Sequence, residues 1–324
     1  MRRATKVWLM IAAFLVLLGC ILFAGVMTTL KWDFTELATV KYETNTHEIS
    51  EAFDSISLNT DTADIAFALS DDGKCKVECI EEENAKHCVA VEDGTLTVEL
   101  MDERSVYGFI GHIGINFGSP KITVYLPKTQ YTSLLINEST GDIEMPKDFG
   151  FNNVDISLST GDVNFNASAS EMIKIKTSTG DIRVEDISAG KLDLSVSTGR
   201  VSLSGVTCQG DVTVGVSTGD AKLADISCKS VISSGNTGAI SLIRVIATEK
   251  FSIERSTGDV RFENSDAAEI FVETDTGYVT GTLLTYKVFI TQTDTGDVDV
   301  PKTTAGGKCQ ITTSTGDIEI DIAG

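Results

Sequence analysis

Several residue classes are scarce in this 324-residue chain: it has 4 prolines, 2 tryptophans and 3 histidines, and its 26 Lys and Arg face 47 Asp and Glu. Few prolines beside 28 glycines argue against a disordered chain and favour short strands joined by tight turns. The formal net charge of -21 disfavours contact with nucleic acid and with anionic lipid surfaces. No nucleic-acid partner is therefore expected.

The sequence also lacks common catalytic motifs. It contains neither an H-E-x-x-H metal motif nor a phosphate-binding loop. Its repeats are short and even, without the long loops that build a cleft on polysaccharide-cleaving β-helices. We therefore expect a protein that is not an enzyme and needs no cofactor, with a polysaccharide-acting β-helix enzyme as the least favoured alternative.

One long apolar run begins the chain. Residues 7–27 contain no charged side chain and are long enough to cross a bilayer core of about 30 Å as a helix. The basic residues within positions 1–6 predict a cytoplasmic N-terminus, because positively charged flanks stay inside. We predict a single-pass cell-membrane protein with a cytoplasmic tail at 1–6, a transmembrane signal anchor at 7–30 and the remainder outside.

Two other interpretations of this run stay open. A signal peptide that is cleaved usually has a shorter apolar region and a small-residue cleavage site, and no A-x-A sequence follows here. The string LLGC at Leu17–Cys20 is typical of a lipidated cysteine, but the apolar run continues directly after Cys20. An uncleaved anchor is therefore preferred.

A period of 19 or 20 residues runs through the rest of the chain. Ten glycines that each follow a threonine mark this period, and such repetition within one chain is typical of a solenoid. We expect these pairs to form structural corners, because glycine reaches positive φ without a steric penalty. The corner pairs are Thr140 and Gly141, Thr160 and Gly161, Thr179 and Gly180, Thr198 and Gly199, Thr218 and Gly219, Thr237 and Gly238, Thr257 and Gly258, Thr276 and Gly277, Thr295 and Gly296, and Thr315 and Gly316.

Apolar residues alternate on both sides of each corner. Leu192, Leu194 and Val196 precede Gly199, and Val201 follows it with the alternation shifted by one residue. A turn at the glycine keeps one side facing inward, and this parity places the corner threonine inward and the residue after glycine outward. One repeat is too short for a helix and two strands, so we predict an all-β protein: a parallel β-solenoid, or β-helix, with 19–20 residues per rung, preceded by one N-terminal transmembrane helix.

The repeat is weaker before the first corner. The string SISLNTDTADIAF at 55–67 matches the rung template with Ala63 in place of glycine. We therefore predict a stalk at 31–49, degenerate capping rungs at 50–137 and regular β-solenoid repeats at 138–324.

An aspartate follows the corner glycine in seven rungs and forms a candidate surface row. Stacked carboxylates repel unless they are screened, hydrogen-bonded or bound to a cation. Calcium binding stays open but is disfavoured, because the calcium-binding solenoid pattern G-G-x-G-x-D-x-U-x repeats every nine residues. A turn-closing aspartate with a solvated charge is preferred. The row consists of Asp142, Asp162, Asp181, Asp220, Asp259, Asp297 and Asp317.

The cysteines suggest two contacts. Cys208 and Cys228 both lie nine residues after a corner glycine and should stack on adjacent rungs, so a disulfide and a pair of buried thiols are equally open. Cys75 and Cys79 share one face of a strand. His87 and Cys88 follow nearby. A bridge from Cys75 or Cys79 to Cys88 is favoured over a zinc site that includes His87, because the spacing matches zinc motifs only loosely.

The last strand, at 318–322, follows the last corner. We expect its rung to form the end of the rod, where Asp317, Glu319 and Asp321 deter edge pairing by repulsion or the edge meets a partner.

The anchor and corners such as Ser178–Ile182, which reads STGDI, resemble the bacterial "putative adhesin" family of β-strand-repeat proteins. This is a domain family of unknown function whose members repeat T-G-D-[IV] corners, and the resemblance covers about residues 50–324. It implies a cell-envelope role in binding, scaffolding or sensing and carries over no catalytic residue.

We therefore expect a membrane-anchored extracytoplasmic β-solenoid that acts as a binding, adhesion-like or scaffold module of the bacterial cell envelope. A protein or an envelope glycan is the expected partner. The alternative is a non-catalytic envelope-stress sensor that works through a membrane partner, because residues 1–6 are too few to signal alone.

Overall fold

The structure, a computed structural model, describes residues 3–33, 41–102 and 119–323. These residues form helix α1 (Arg3–Thr29) followed by 24 strands. Within α1, Lys6–Thr29 is long and apolar enough to cross a membrane. The strands build a parallel β-solenoid of about 10 turns, so the predicted fold class is confirmed.

The strands fall into three groups along the chain. The N-terminal cap consists of β1 (Tyr42–Ile49), β2 (Ser55–Asn59), β3 (Asp64–Leu69), β4 (Cys75–Glu82), β5 (Ala85–Glu92), β6 (Thr95–Asp102) and β7 (Lys121–Leu126). The regular rungs consist of β8 (Gln130–Thr140), β9 (Ile143–Met145), β10 (Gly150–Thr160), β11 (Val163–Phe165), β12 (Ser168–Thr179), β13 (Ile182–Glu185), β14 (Ser188–Thr198), β15 (Val201–Cys208), β16 (Asp211–Thr218), β17 (Ala221–Thr237), β18 (Ile240–Thr257), β19 (Val260–Thr276) and β20 (Val279–Leu283). The C-terminal end consists of β21 (Lys287–Thr295), β22 (Val298–Asp299), β23 (Gly307–Thr315) and β24 (Ile318–Ile322).

Each regular rung packs on the next through parallel strands in register. Val201 of β15 lies opposite Ala221 of β17, and Leu203 lies opposite Leu223. All four side chains are buried. Because each rung places apolar residues above those of its neighbour, the core is a continuous column along the rod.

The threonine–glycine corner of each rung requires glycine, because the backbones of successive rungs approach each other closely there. Gly161 has a φ of 139°, and a Cβ added to it would lie 1.9 Å from the carbonyl oxygen of Gly141. Its N–H donates to the carbonyl oxygen of Thr179 in the following rung at 2.9 Å. Nine of the ten corner glycines, all except Gly277, have a φ between 127° and 152°.

The parity prediction holds along the strands and fails at the corner threonines. Thr177 and Ile182 are buried as expected, but Thr179 and the other nine corner threonines are exposed. The β12–β14 ladder omits Ser178, so the chain leaves the regular pleat there, before the glycine. The predicted inward orientation of these threonines is therefore wrong.

The cap is not stacked in chain order. β2 and β3 lie on β8 and β9 as a parallel rung, and β6 and β7 lie on the outer side of β2 and β3. β4 and β5 then pair antiparallel with β7 and β6, and β1 pairs antiparallel with β4. The expected stack of degenerate rungs thus includes antiparallel strands, and β1 occupies part of the segment expected to be a stalk.

The C-terminal end also departs from chain order. β23 lies between β19 and β21, and β24 lies between β20 and β22. The last rung of the sequence is therefore interior, and the expectation that Asp317, Glu319 and Asp321 guard the edge is wrong. The terminal rung is formed by β21 and β22, where Ile290 is 51% and Val298 is 44% exposed.

Replacing Gly161 with alanine should lower the free energy of unfolding by more than about 3 kcal/mol, because strain in φ adds to a clash with backbone. Gly73→Ala is the matched control: Gly73 has a φ of 73° but no atom within 4 Å of an added Cβ. It should cost about 1–2 kcal/mol. Chemical denaturation of the full chain in detergent measures both, and equal losses would contradict the stacking argument.

Candidate functional site

A groove of about 910 Å³ opens at one edge of the cap. Its walls come from the end of β1 and the link to β2, the turn between β3 and β4, and the loop between β7 and β8. Because antiparallel β4 interrupts the parallel rungs, these connections do not stack on one another. The groove has the volume of a typical small-ligand site, and we name it the cap groove.

Aromatic side chains line the cap groove. Phe53 stacks on the buried Tyr131 with ring centroids 6.1 Å apart. The hydroxyl of Tyr131 donates to the carbonyl oxygen of Pro127 at 2.9 Å, which fixes the ring. Tyr125 lies under the ammonium of Lys76, with 4.1 Å between Nζ and the ring centroid. The groove therefore presents rigid ring surfaces rather than mobile aliphatic chains.

Acidic side chains accompany these rings. Asp72 accepts hydrogen bonds from the backbone N–H of Lys74 at 3.0 Å and the hydroxyl of Ser70 at 2.8 Å. The Lys74 N–H, followed by the Ser70 hydroxyl, lowers the pKa of Asp72, so this carboxylate is ionised at neutral pH. Lys74 and Lys76 also line the groove. Its acidic residues are Glu48, Glu51, Asp71 and Asp72.

The outward aspartate row bonds one rung to the next. Oδ1 of Asp162 accepts the N–H of Asp181 at 2.8 Å, and Oδ1 of Asp181 accepts the N–H of Arg200 at 2.7 Å. A carboxylate therefore satisfies a corner N–H, which gives the aspartate a structural role. The same contact joins Asp142 to Asp162, Asp220 to Ala239, Asp259 to Tyr278 and Asp317 to Asp297.

The sequence-based row omitted its first member. Oδ1 of Asp64 accepts the N–H of Asp142 at 3.0 Å. Ala63, just before it, occupies the corner, and its carbonyl oxygen would lie 2.0 Å from a Cβ on Gly141. The sequence could have revealed this member of the row: Ala63 matches the corner position, so Asp64 after it is equivalent to Asp142.

A second corner column was also missed. Asp186, Asp225, Arg244 and Asn264 have positive φ values of 49° to 54°, and Gly205 has a φ of 64°. Aspartate, asparagine and glycine tolerate this conformation better than other residues. Arg244 also donates to both carboxylate oxygens of Asp225 in the preceding rung, at 2.6 and 2.7 Å. The five residues of this column are spaced by 19 or 20 positions, and this spacing was the feature of the sequence that could have revealed the second corner.

The proposed cysteine bridges are not formed, because all seven cysteines are thiols. Cys208 and Cys228 are buried on adjacent rungs, one position beyond the paired part of β15 and β17. Burial raises the pKa of Cys228 to about 12, as expected of an inert core thiol. Cys88 is exposed while Cys79 is buried, because His87 takes the inward position on β5.

Glu138 is a buried acid in the first regular rung. Its side chain is 5% exposed, and its Oε1 accepts the N–H of Ala63 at 3.2 Å. Its Oε2 is buried without a hydrogen-bond partner. The pKa of Glu138 is raised to about 8, mainly by burial; two backbone hydrogen bonds oppose this shift and the charges of Asp61 and Asp64 add to it. Glu138 is therefore mostly protonated at neutral pH.

The sequence matches a known family along most of its length. The family described as Toastrack DUF4097 matches residues 53–215 and again residues 207–324. This match confirms the family resemblance found in the repeats. Among curated proteins, no relative matches the chain.

Three solved bacterial structures resemble the chain. A "putative adhesin" from Bacteroides fragilis is 18% identical with a TM-score of 0.40, and the alignment covers 87% of this chain and 97% of that one. A "putative lipid binding protein" from Parabacteroides distasonis is 20% identical with a TM-score of 0.49, covering 75% and 95%. A "putative adhesin" from Parabacteroides merdae is 14% identical with a TM-score of 0.42, covering 88% and 98%. No residue role is carried over from them.

Removing one carboxylate from the aspartate row should weaken the contact between two rungs. Asp162→Ala leaves the N–H of Asp181 without its acceptor and should lower the free energy of unfolding by about 1 kcal/mol. Asp162→Asn keeps the acceptor and should change it by less than about 0.5 kcal/mol. Urea denaturation of the full chain in detergent distinguishes them, and identical losses would show that the hydrogen bond is irrelevant.

Glu138 should make the protein less stable as the pH rises. Its pKa is about 8 in the folded chain, against 4.5 for an ordinary glutamate. The unfolded state therefore binds fewer protons between these values, and stability falls from about pH 5 to pH 8.

Glu138→Gln should remove this pH dependence, and its free energy of unfolding should exceed that of the wild type at pH 8 by about 4 kcal/mol. Glu144→Gln, an exposed change in the same rung, is the control. Melting temperatures measured from pH 5 to pH 8.5 test this, and parallel wild-type and Glu138→Gln curves would contradict it.

Proposed function

The chain belongs to the Toastrack DUF4097 family, and we propose that it is a membrane-anchored extracytoplasmic module that binds a ligand in the cap groove. α1 anchors it in the cell membrane, with residues 1–6 on the cytoplasmic side. The solenoid projects into the cell envelope. The module acts by binding and carries out no reaction.

The observation that carries this proposal is the combination of fixed aromatic rings and carboxylates in one open groove. Phe53 and Tyr125 offer ring faces on which an apolar ring surface packs. Glu51 and Asp72 provide oxygens that accept hydrogen bonds from hydroxyl or ammonium groups. Sugars that carry amino groups present both kinds of surface, so we propose an amino-sugar glycan of the envelope as the ligand.

The length of the chain between α1 and the cap supports a site close to the membrane. Only residues 30–41 connect Thr29, the end of α1, to Tyr42, the start of β1. Twelve residues span at most about 40 Å when fully extended. In the proposed topology the cap groove therefore faces glycans near the membrane surface, while the regular rungs extend beyond it.

The acidity of the chain supports the same choice of ligand. A net charge of -21 disfavours contact with anionic lipid headgroups. A neutral or cationic glycan avoids this repulsion, and protonated amines are attracted to Glu48 and Asp71 at the groove. The negative surface charge therefore helps to select the ligand as well as to keep the protein soluble.

Loss of the aromatic faces should weaken glycan binding. Phe53→Ala combined with Tyr125→Ala should weaken the binding of an amino-sugar oligosaccharide at least tenfold, because both packing surfaces are removed. Tyr286→Ala is the control, since Tyr286 is a 65% exposed tyrosine outside the cap. It should bind like the wild type.

The measurement is isothermal titration calorimetry on the full chain in nanodiscs, with chitosan and chitin oligosaccharides of equal length. Tighter binding of the chitosan oligomer supports the role of the carboxylates, and Asp72→Asn should reduce that preference. Absence of binding to either oligomer, or equal affinity of the wild type and the double variant, would overturn the proposal.

A further inference from the structure

A compact set of metal-ligand side chains lies inside the cap. Cys79 and Glu81 project inward from β4, and His87 projects inward from β5; all three are buried. One ligand atom of each residue lies within 4.8 Å of the other two. Cysteine sulfur, carboxylate oxygen and histidine nitrogen are the three kinds of protein atom that bind Zn²⁺.

The strand topology brings these residues together. β4 and β5 form a hairpin closed by the pair Glu82 and Ala85. Beyond it the strands separate, because β4 pairs with β7 while β5 pairs with β6. Their inward side chains therefore meet across the interior of the cap instead of lying side by side in one sheet. A shared ion would join the two layers.

Hydrogen bonds orient the side chains of this cluster. Nδ1 of His87 lies 2.7 Å from Oε2 of Glu81, which also accepts the backbone N–H of His87 at 2.6 Å. The side-chain amide of Asn45 donates to Oε1 of Glu81 at 2.7 Å. Asn45 lies directly opposite Cys79 in the register of β1 and β4. The carboxylate is thus oriented by a neighbour, as is common for ligands of metal ions.

A second observation indicates a polar species on this side of the cap. His47 lies two residues from Asn45 on β1 and shares its face. Its Nε2 is buried and has no hydrogen-bond partner. A buried nitrogen without a partner is costly, and a metal site with its bound water would place polar atoms on this face.

A route to the cluster is present. A groove of about 340 Å³ is lined by His87 and by the acidic residues Asp61, Asp64 and Glu82. Carboxylates around a narrow opening raise the local concentration of cations. The groove also supplies solvent to the side of the cluster formed by His87.

We propose that Cys79, Glu81 and His87 bind one Zn²⁺ ion, with a water molecule from this groove as the fourth ligand. Zn²⁺ fits because its tetrahedral sites accept imidazole, thiolate and carboxylate together. On binding, the thiol proton of Cys79 passes to solvent. The hydrogen bond between Nδ1 of His87 and Oε2 of Glu81 is replaced by bonds from both atoms to the ion, and the proton of the neutral imidazole moves from Nδ1 to Nε2 through solvent. The ion fastens β4 to β5 and stabilises the cap. This site is separate from the cap groove and does not depend on glycan binding.

The test uses the full chain in detergent, reduced and stripped of metal with a chelator. Titration with Co²⁺ should produce the absorption bands of tetrahedral Co²⁺ and a thiolate charge-transfer band, both of which saturate at one Co²⁺ per chain. Zn²⁺ should displace the Co²⁺ and raise the melting temperature. Cys79→Ser and His87→Gln should each weaken Co²⁺ binding at least tenfold. Cys88→Ser is the matched control, since Cys88 adjoins His87 but is exposed, and it should bind like the wild type.

X-ray absorption of the Zn²⁺-loaded wild type keeps the proposal testable if a variant fails to fold. One sulfur at about 2.3 Å and the remaining ligands at about 2.0–2.2 Å are expected. No Co²⁺ band, a zinc shell with no sulfur or with several, or undiminished binding by folded Cys79→Ser would overturn the proposal.

Discussion

The close approach of corner backbones from rung to rung is the constraint on which the fold depends. At Gly161 the preceding carbonyl oxygen occupies the space where a Cβ would lie. This spacing lets the corner N–H reach its acceptor in the next rung, and it positions the following aspartate to accept a second N–H. The glycine, the aspartate and the regular period are therefore consequences of one contact between neighbouring rungs.

Periodicity in the sequence was sufficient to predict what each rung shares with its neighbours. It identified the corner glycines, the alternating core positions and Ala63 as a corner without glycine. It could not predict the order of rungs at the two ends, because equivalent rungs present similar pairing edges. Only the structure shows β23 inserted beside β19. The inward threonine prediction failed because the pleat ends at Ser178, a backbone departure that residue types do not reveal.

The candidate sites depend on the segments that break the period, which explains why sequence analysis missed them. Phe53 and Tyr125 are 72 residues apart in the sequence, yet both line the cap groove, in the part of the rod where β7 pairs with β3 and with antiparallel β4. The sequence grouped Cys79 and His87 with Cys75 and Cys88 but gave no sign of Glu81, whereas the structure brings Cys79, Glu81 and His87 together. The alternation of side chains along β5 places Cys88 outward and His87 inward. The carboxylate of Glu81 is oriented toward the cluster by a hydrogen bond from Asn45 of β1.

The architecture itself favours binding over transmembrane sensing. In a solenoid each rung contacts only its neighbours, so a local change is passed on only through the stacking contacts between rungs. Those contacts are regular hydrogen bonds and packed apolar columns, whereas signal transfer requires an element with two arrangements. The regular rungs are therefore suited to act as a spacer. The cap combines antiparallel strands, open grooves and buried polar groups, and its chemistry differs from that of a repeat.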